Sequence, residues 1–203
     1  MISYYIVSRC SYLLPESPLD PNTLWKCETC PHFLKQESID DITSTLLKER
    51  ENISWSDLNS YRIFLKKAAS QLHPNHYILS SSKRSMLPVL CANPATASYE
   101  EWQEKLKLTK ELLQVLDCVN PGYSKDRGRT LFHLAVATLN LRKLEYESHE
   151  MDLEQFQTIS LRSVIPLFQD AFQILNSEFQ KYEQMLCWAC NFYIDKLSRE
   201  LFF

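Results

Sequence analysis

The fold class follows from residues 54–90, which read SWSDLNSYRIFLKKAASQLHPNHYILSSSKRSMLPVL. Apolar residues recur there at steps of three and four, namely Leu58, Tyr61, Leu65, Ala68, Ala69 and Leu72. That spacing places them on one face of an α-helix. Ser54 and Asp57 have the form of a capping box at the start of this helix. Because helix is disfavoured before a proline, Pro74 predicts that the helix ends near His73.

A second helix is predicted directly after this corner, with Asn75 as its N-cap. A short helical hairpin cannot bury its apolar stripe alone, and the rest of the chain supplies further helices. The predicted helices span about 38–50, 54–72, 75–91, 98–117, 122–145, 151–177 and 179–200. Ser98 and Glu101 form a capping box for the fourth helix, and Pro166 predicts a kink in the sixth. We therefore expect an all-α array of antiparallel helical hairpins, similar to a tetratricopeptide (TPR) array.

Glycine is scarce, and this supports the helical interpretation. The chain has 2 glycines in 203 residues, whereas an average usage of about 7% would give roughly fourteen. Hairpin turns, phosphate-binding loops and dinucleotide-binding folds need glycine at positive φ or at close backbone approaches. The count argues against β-rich folds and nucleotide-binding α/β folds.

The net charge limits which partners are expected, and the cysteines indicate the compartment. The net charge of −3 predicts no direct binding of nucleic acid or of an anionic membrane. No apolar run approaches the roughly 20 residues of a membrane span, and the N-terminus lacks the basic region of a signal peptide. The seven cysteines are odd in number and scattered, unlike a secreted disulfide framework. We expect an intracellular protein of the cytoplasm or nucleus, with reduced thiols.

Residues 1–37 differ from the rest, with three cysteines, four of the nine prolines and no helical periodicity. We predict a short irregular domain there, followed by a helical domain over residues 38–203. Cys27 and Cys30 form a C-x-x-C pair whose thiolates can reach one tetrahedral metal ion, and Cys10 is a natural third ligand. The fourth ligand stays open, with His32 nearby, and incidental cysteines are the alternative. Any metal here is expected to be structural, because no catalytic base lies near.

Other chemically suggestive groups have structural explanations. Cys187 and Cys190 form a second C-x-x-C inside a predicted helix, where thioredoxin chemistry is not expected, so we interpret them as buried helix cysteines. His73 and His76 flank the proline corner, and a corner-and-cap role is favoured over a metal site. The basic cluster 125–129 is interpreted as a solvated face, with a contact for an acidic peptide as the alternative. No residue has the strained-turn context of a nucleophile, so no active site is visible.

Three stretches together resemble a known family. Residues 72–79, LHPNHYIL, and residues 113–128, LQVLDCVNPGYSKDRG, are similar to the C-terminal half of the SET-and-MYND (SMYD) lysine methyltransferases. Residues 15–30, PESPLDPNTLWKCETC, are similar to the post-SET cysteine segment in the arthropod branch of that family. The resemblance covers most of residues 10–145, and the three features occur in the family's order and spacing.

The resemblance implies that Cys10, Cys27 and Cys30 are remnants of a post-SET zinc site, which in the family has four cysteines. It also implies that the helices form the TPR-like C-terminal domain that covers the substrate cleft in family members. The SET domain, which binds S-adenosylmethionine and carries the catalytic tyrosine, and the MYND zinc finger would lie before Met1. We therefore expect that this chain does not catalyse by itself.

Three functions remain open at this point. We favour a helical protein-interaction domain whose inner face binds protein or peptide segments. The alternative from the enzyme class is the C-terminal part of a protein (histone) lysine methyltransferase, active only with an upstream SET domain that supplies the S-adenosylmethionine pocket. A non-functional fragment is the third.

Overall fold

A computed structural model of the protein describes residues 5–7, 10–17, 19–27 and 31–201. It is mostly helical, as expected from the sequence. The helices are α1 (Gln36–Glu51), α2 (Leu58–Ala69), α3 (Tyr77–Met86), α4 (Tyr99–Val119), α5 (Lys125–Glu147), α6 (Leu153–Gln155), α7 (Arg162–Leu175) and α8 (Lys181–Leu201). The strands are β1 (Tyr5–Val7), β2 (Cys10–Pro15), β3 (Leu24–Cys27) and β4 (Phe33–Lys35). None of the helices in the described ranges is long and apolar enough to cross a membrane.

The chain forms two compact units, residues 1–89 and residues 90–203. The first unit opens with an antiparallel sheet in the strand order β1-β2-β3-β4. Leu13 pairs with Cys27 between β2 and β3, and Trp25 pairs with Leu34 between β3 and β4. The expectation of an irregular segment is therefore wrong for these residues, and all-α is corrected to mostly helical. The sequence-based division into residues 1–37 and 38–203 stays a prediction.

The loop between β2 and β3 explains why the glycine count did not exclude a sheet. Scarce glycine argues against tight two-residue hairpins, but this loop spans residues 16–23 and is closed by polar side chains. Asp20 Oδ1 accepts a hydrogen bond from the N–H of Asn22 at 2.9 Å, which is an Asx turn. Thr23 Oγ1 accepts another from the N–H of Ser17 at 2.9 Å. None of the described residues of this loop has a positive φ.

The core of the first unit lies where the sheet meets α1, α2 and α3. Leu13 and Trp25 enter it from the sheet. The helices contribute Ile39, Leu46, Phe64, Ala68, Leu72, Ile78 and Leu79. Trp25 Nε1 donates a hydrogen bond to Gln36 Oε1 at 2.8 Å, so the polar edge of this buried ring is satisfied.

The predicted hairpin around the proline corner is present as α2 and α3, but its caps differ. Asp57, rather than Ser54, caps α2, and its Oδ1 accepts a hydrogen bond from the N–H of Ser60 at 3.0 Å. His76, rather than Asn75, caps α3. Asn75 is exposed whereas His76 is buried. The imidazole of His76 therefore reaches a helix N–H that water does not satisfy.

The helices of the second unit pack in chain order, α4 on α5, α5 on α7 and α7 on α8. The capping box predicted for α4 is confirmed. Ser98 Oγ accepts a hydrogen bond from the N–H of Glu101 at 3.2 Å, and Glu101 Oε2 accepts one from the N–H of Ser98 at 2.9 Å. Gly128 allows α5 to approach α7 closely, because a Cβ there would lie 2.9 Å from Ile174 Cγ2.

The predicted helix over residues 151–177 is interrupted, which corrects the sequence interpretation. A π-helical segment, Phe156–Leu161, separates α6 from α7. Pro166 lies inside α7 and has no N–H to donate to the carbonyl of Arg162 four residues earlier. Arg162 is the residue at which the chain changes from π-helical to α-helical. The π-helix therefore changes to an α-helix at Arg162, and the carbonyl of Arg162 lacks its α-helical donor because residue 166 is a proline.

Candidate functional site

Cys27 ends β3, and its side chain is half-buried. Its N–H donates a hydrogen bond to the carbonyl oxygen of His32 at 3.0 Å, which extends the β3–β4 ladder by one pair. Residues that oppose each other in an antiparallel ladder project to the same face of the sheet. His32 Nε2 is buried and has no hydrogen-bond partner within the described ranges. Because thiolates and imidazole nitrogens are zinc ligands, Cys27 and His32 fit a metal site on this face.

The other two predicted ligands cannot be placed in the same way. Cys10 begins β2, but its side chain lies outside the described residues, and Cys30 lies outside them altogether. Within the described ranges no group of three potential metal ligands is found. Zinc at Cys10, Cys27 and Cys30 therefore stays a prediction. The position of His32 opposite Cys27 favours His32 as the fourth ligand that the sequence left open.

The second C-x-x-C lies in the middle of α8, as predicted. Cys190 is fully buried, and this burial, with the neighbouring Cys187 as a smaller cause, raises the pKa of its thiol to about 12. Burial also raises the pKa of Cys187, whose Sγ donates to Asn176 Oδ1 at 3.7 Å. A thiol that stays protonated is a poor nucleophile. The interpretation as buried helix cysteines is confirmed for Cys190, whereas Cys187 is only half-buried.

The histidines at the proline corner bond to the backbone. His73 Nδ1 accepts a hydrogen bond from the N–H of Asn75 at 3.2 Å, and His76 Nδ1 accepts one from the N–H of Ile78 at 3.2 Å. Burial, with the charge of His73 as a smaller cause, lowers the pKa of His76 to about 4. A neutral imidazole is the form that accepts through Nδ1. These contacts give both histidines a structural role at the corner, but the cap predicted at Asn75 is instead His76.

The basic cluster at the start of α5 is largely neutralised by acidic partners. The guanidinium of Arg127 forms an ion pair with Asp117, and that of Arg129 forms one with Glu183. Lys125 is exposed. This pairing favours a structural role for the cluster over a contact with an acidic peptide.

A cleft of about 390 Å³ lies in the second unit between α5, the π-helical segment and α8. We call it the α5–α8 cleft. Its lining residues are Leu139, Asn140, Lys143, Tyr146, Glu147, Phe156, Tyr193, Lys196 and Leu197. The volume falls in the usual range of small-ligand and side-chain pockets. The lining combines apolar side chains with a few polar ones, as binding pockets do.

The aromatic walls of the cleft are held in place by other rings. Tyr146 at the end of α5 stacks on Phe156 of the π-helical segment, with ring centroids 5.3 Å apart and an interplanar angle of 25°. Tyr193 of α8 stacks on the fully buried Phe168, with centroids 4.8 Å apart and an angle of 9°. Side chains that are already ordered lose less conformational entropy when a ligand binds. The walls are therefore preorganised for an apolar group.

The rim of the cleft carries two lysines and one glutamate. Lys143 Nζ lies 3.8 Å from Glu147 Oε1, and exposed pairs of this kind are weak. Lys196 is exposed, and no ion pair is found for it within the described part of the chain. The rim is thus locally positive on a chain whose net charge is −3. This charge pattern favours a ligand in which a carboxylate lies close to an apolar side chain.

Sequence reasoning missed this cleft because its residues come from three separate elements. Tyr193 and Leu197 are four residues apart in the predicted helix 179–200, which favours one helix face, but nothing local indicates that α5 faces them. Tyr146 and Phe156 are ten positions apart, on either side of the connection between α5 and the π-helical segment, and no periodicity links them. Two lysines on different helices give no sequence motif.

Comparison with models of known protein families gives no match, and comparison with curated protein sequences gives none either.

Proposed function

We propose that residues 90–203 form a protein-interaction domain that binds an extended peptide segment in the α5–α8 cleft. The observation that carries this proposal is the cleft, which has preorganised aromatic walls and a locally positive rim. The ligand that fits it is a peptide with a large apolar side chain next to an acidic residue. Successive packing of α4, α5, α7 and α8 supports the TPR-like arrangement that the sequence suggests.

The family resemblance leads to a second, narrower proposal about origin. The three SMYD-like stretches support assigning the chain to the C-terminal part of a SET-and-MYND protein, with a TPR-like domain next to a post-SET remnant. On this proposal S-adenosylmethionine chemistry belongs to an upstream SET domain. Incubation of the purified chain with radiolabelled S-adenosylmethionine and histones should give no methyl transfer above a protein-free blank. Transfer that depends on the chain would show that it carries catalysis itself.

The peptide proposal is tested with fluorescein-labelled ten-residue peptides and fluorescence anisotropy. One peptide has a central Leu-Phe pair followed by Asp-Glu in a Gly-Ser background, and its partner has Lys-Lys in place of Asp-Glu. We expect the acidic peptide to bind and the basic one not to bind. Lys196→Glu should weaken binding of the acidic peptide by about tenfold or more, since a close like-charge contact opposes binding.

The matched control is Lys110→Glu, which makes the same charge change at an exposed position on α4 outside the cleft. This variant should bind the acidic peptide as the unmodified chain does. Equal loss in both variants would show a general charge effect and would contradict the cleft. Absence of binding by either peptide to the folded chain, at millimolar protein, would remove the proposed function.

A further inference from the structure

One face of α8 carries large apolar side chains that the described part of the second unit leaves uncovered. Met185, Trp188 and Phe192 are 55%, 70% and 51% exposed. The rings of Trp188 and Phe192 stack, with centroids 6.0 Å apart and an interplanar angle of 17°. We call these three residues the α8 stripe. They recur at steps of three and four, so they lie along one line of the helix.

The centre of the α8 stripe, Trp188, points away from the α5–α8 cleft. Leu197 lines the cleft and lies nine residues after Trp188, which at 3.6 residues per turn is about two and a half turns. The two side chains therefore leave α8 on opposite sides. At the other end of the stripe, Phe192 contacts the cleft residue Tyr193 edge to face, with ring centroids 5.7 Å apart. The inference below is carried by the exposure and charges of the stripe and not by the peptide proposal.

The charges at the ends of the stripe are arranged symmetrically about its centre. Lys181 precedes Trp188 by seven residues and Asp195 follows it by seven, and both are exposed. Seven residues are about two helical turns, so both residues continue the line of the stripe. A second α8 helix that packs antiparallel about Trp188 would bring each Lys181 opposite the other copy's Asp195. It would also bring each Met185 next to the other copy's Phe192.

From this arrangement we infer that the α8 stripe is a self-association surface, which pairs with the same stripe of a second copy of this chain in an antiparallel, two-fold symmetric contact. A two-fold contact places the same patch on both copies and requires that patch to be complementary to itself. The apolar centre with a lysine at one end and an aspartate at the other meets this requirement. Charge complementarity fixes the antiparallel direction, since a parallel pair would place like charges together.

The small area of the α8 stripe predicts a weak dimer. The exposed parts of the three side chains amount to roughly 400 Å² per copy, given that large aromatic side chains bury 150–250 Å² each. Stable protein interfaces bury about 800 Å² per partner. The dimer should therefore dissociate on dilution, and its dissociation constant lies in the micromolar range or above.

Sedimentation velocity of the full chain over a concentration series from about 1 to 500 µM, which spans weak association, tests the inference. We expect the sedimentation coefficient to rise from that of a monomer towards that of a dimer. Trp188→Glu should raise the dissociation constant at least tenfold. The matched control is Trp55→Glu, at a position that is 75% exposed in the first unit, and this variant should associate as the unmodified chain does.

Charge reversal distinguishes the antiparallel pair from any other contact. Lys181→Glu and Asp195→Lys should each weaken association, and the double variant should restore it, because the two ends then exchange signs. Circular dichroism spectra confirm that each variant is folded before it is compared. A chain that stays monomeric at all concentrations would overturn the inference and leave the stripe to another partner. A dimer that the double variant fails to restore would overturn the antiparallel geometry.

Discussion

The carboxylate of Glu183 on α8 is fully buried and forms an ion pair with the guanidinium of Arg129 on α5. Arg129 is 32% exposed, whereas Glu183 is 0% exposed. Glu183 Oε2 has no hydrogen-bond partner within the described residues. The Arg129 guanidinium also lies over the ring of Tyr182, 5.2 Å from its centroid. If the ion pair is broken, water can therefore solvate Arg129 but not the buried carboxylate of Glu183.

That asymmetry predicts unequal effects of removing each partner. Arg129→Met leaves a buried carboxylate unpaired and should lower the free energy of unfolding by about 3–5 kcal/mol. Glu183→Gln should cost less, about 1–2 kcal/mol, because Arg129 can turn towards solvent. Urea denaturation followed by circular dichroism measures both values. A larger loss for Glu183→Gln than for Arg129→Met would contradict the described burial.

The double variant Arg129→Met/Glu183→Leu provides the control for this pair. Replacement of a buried ion pair by apolar residues of similar volume is often neutral. We expect the double variant to recover most of the stability that Arg129→Met loses. Additive losses would show that packing at these positions matters more than the buried charge.

His133 on α5 should make the protein less stable in mild acid. Burial, and then the charges of Lys105 and Arg129, lower its pKa to about 3, whereas the unfolded chain has the ordinary value of about 6.5. Between these values the unfolded chain binds a proton that the folded chain does not, so stability falls as the pH falls. The loss from pH 7 to pH 5 should be about 2 kcal/mol from this residue.

Urea midpoints between pH 5 and pH 7 measure this dependence. His133→Leu should remove most of the contribution of this residue and flatten the slope. Some slope should remain, because the pKa of His76 is also lowered, to about 4. If His133→Leu leaves the dependence of stability on pH unchanged, the pKa of His133 is the same in the folded and unfolded chain, which would contradict the prediction.

The end of α5 offers a stabilising substitution. His149 follows the helix with φ 65°, and its N–H donates to the carbonyl of Tyr146 at 3.1 Å while the N–H of Glu150 donates to that of Glu145 at 3.0 Å. This is a Schellman motif, whose left-handed position favours glycine. His149→Gly should raise the free energy of unfolding by about 1 kcal/mol. His149→Ala keeps the strained backbone and serves as the control that should not stabilise.

The zinc prediction has a direct test in the full chain. If Cys10, Cys27 and Cys30 bind zinc, the purified protein should contain about one zinc per chain, and a chelator should lower its melting temperature. His32→Ala should weaken zinc retention if the imidazole is the fourth ligand. A Cys27→Ser variant with the same melting temperature as the unmodified chain, with and without chelator, would refute the zinc site.

Local sequence signals predicted local structure well in this chain. The capping box of Ser98 and Glu101 and the α2–α3 hairpin needed only spacing along the helix. The pairing of Leu13 with Cys27 was missed because strand pairing depends on residues that are distant in sequence. His76 was missed as a cap because its role depends on burial, which Asn75 lacks. No glycine marks the end of α5 in the sequence, because His149 occupies the left-handed position where glycine is usual.

The candidate site was less predictable than the fold for a physical reason. The cleft requires Tyr146, Phe156 and Tyr193 to meet from three elements. The same difficulty applies outside the cleft to the ion pair of Glu183 and Arg129, which are 54 positions apart with no local pattern that connects them. Such contacts follow from packing between helices rather than from periodicity within them.

Binding of an acidic, apolar peptide is the role that we propose for the α5–α8 cleft. Its most direct test is a two-dimensional ¹H–¹⁵N NMR titration of the ¹⁵N-labelled chain with the Leu-Phe-Asp-Glu peptide. We expect shift changes concentrated at the amides of Asn140, Tyr193 and Leu197, with the indole signal of Trp188 unchanged. An absence of changes at millimolar peptide, or changes confined to residues outside the cleft, would contradict it.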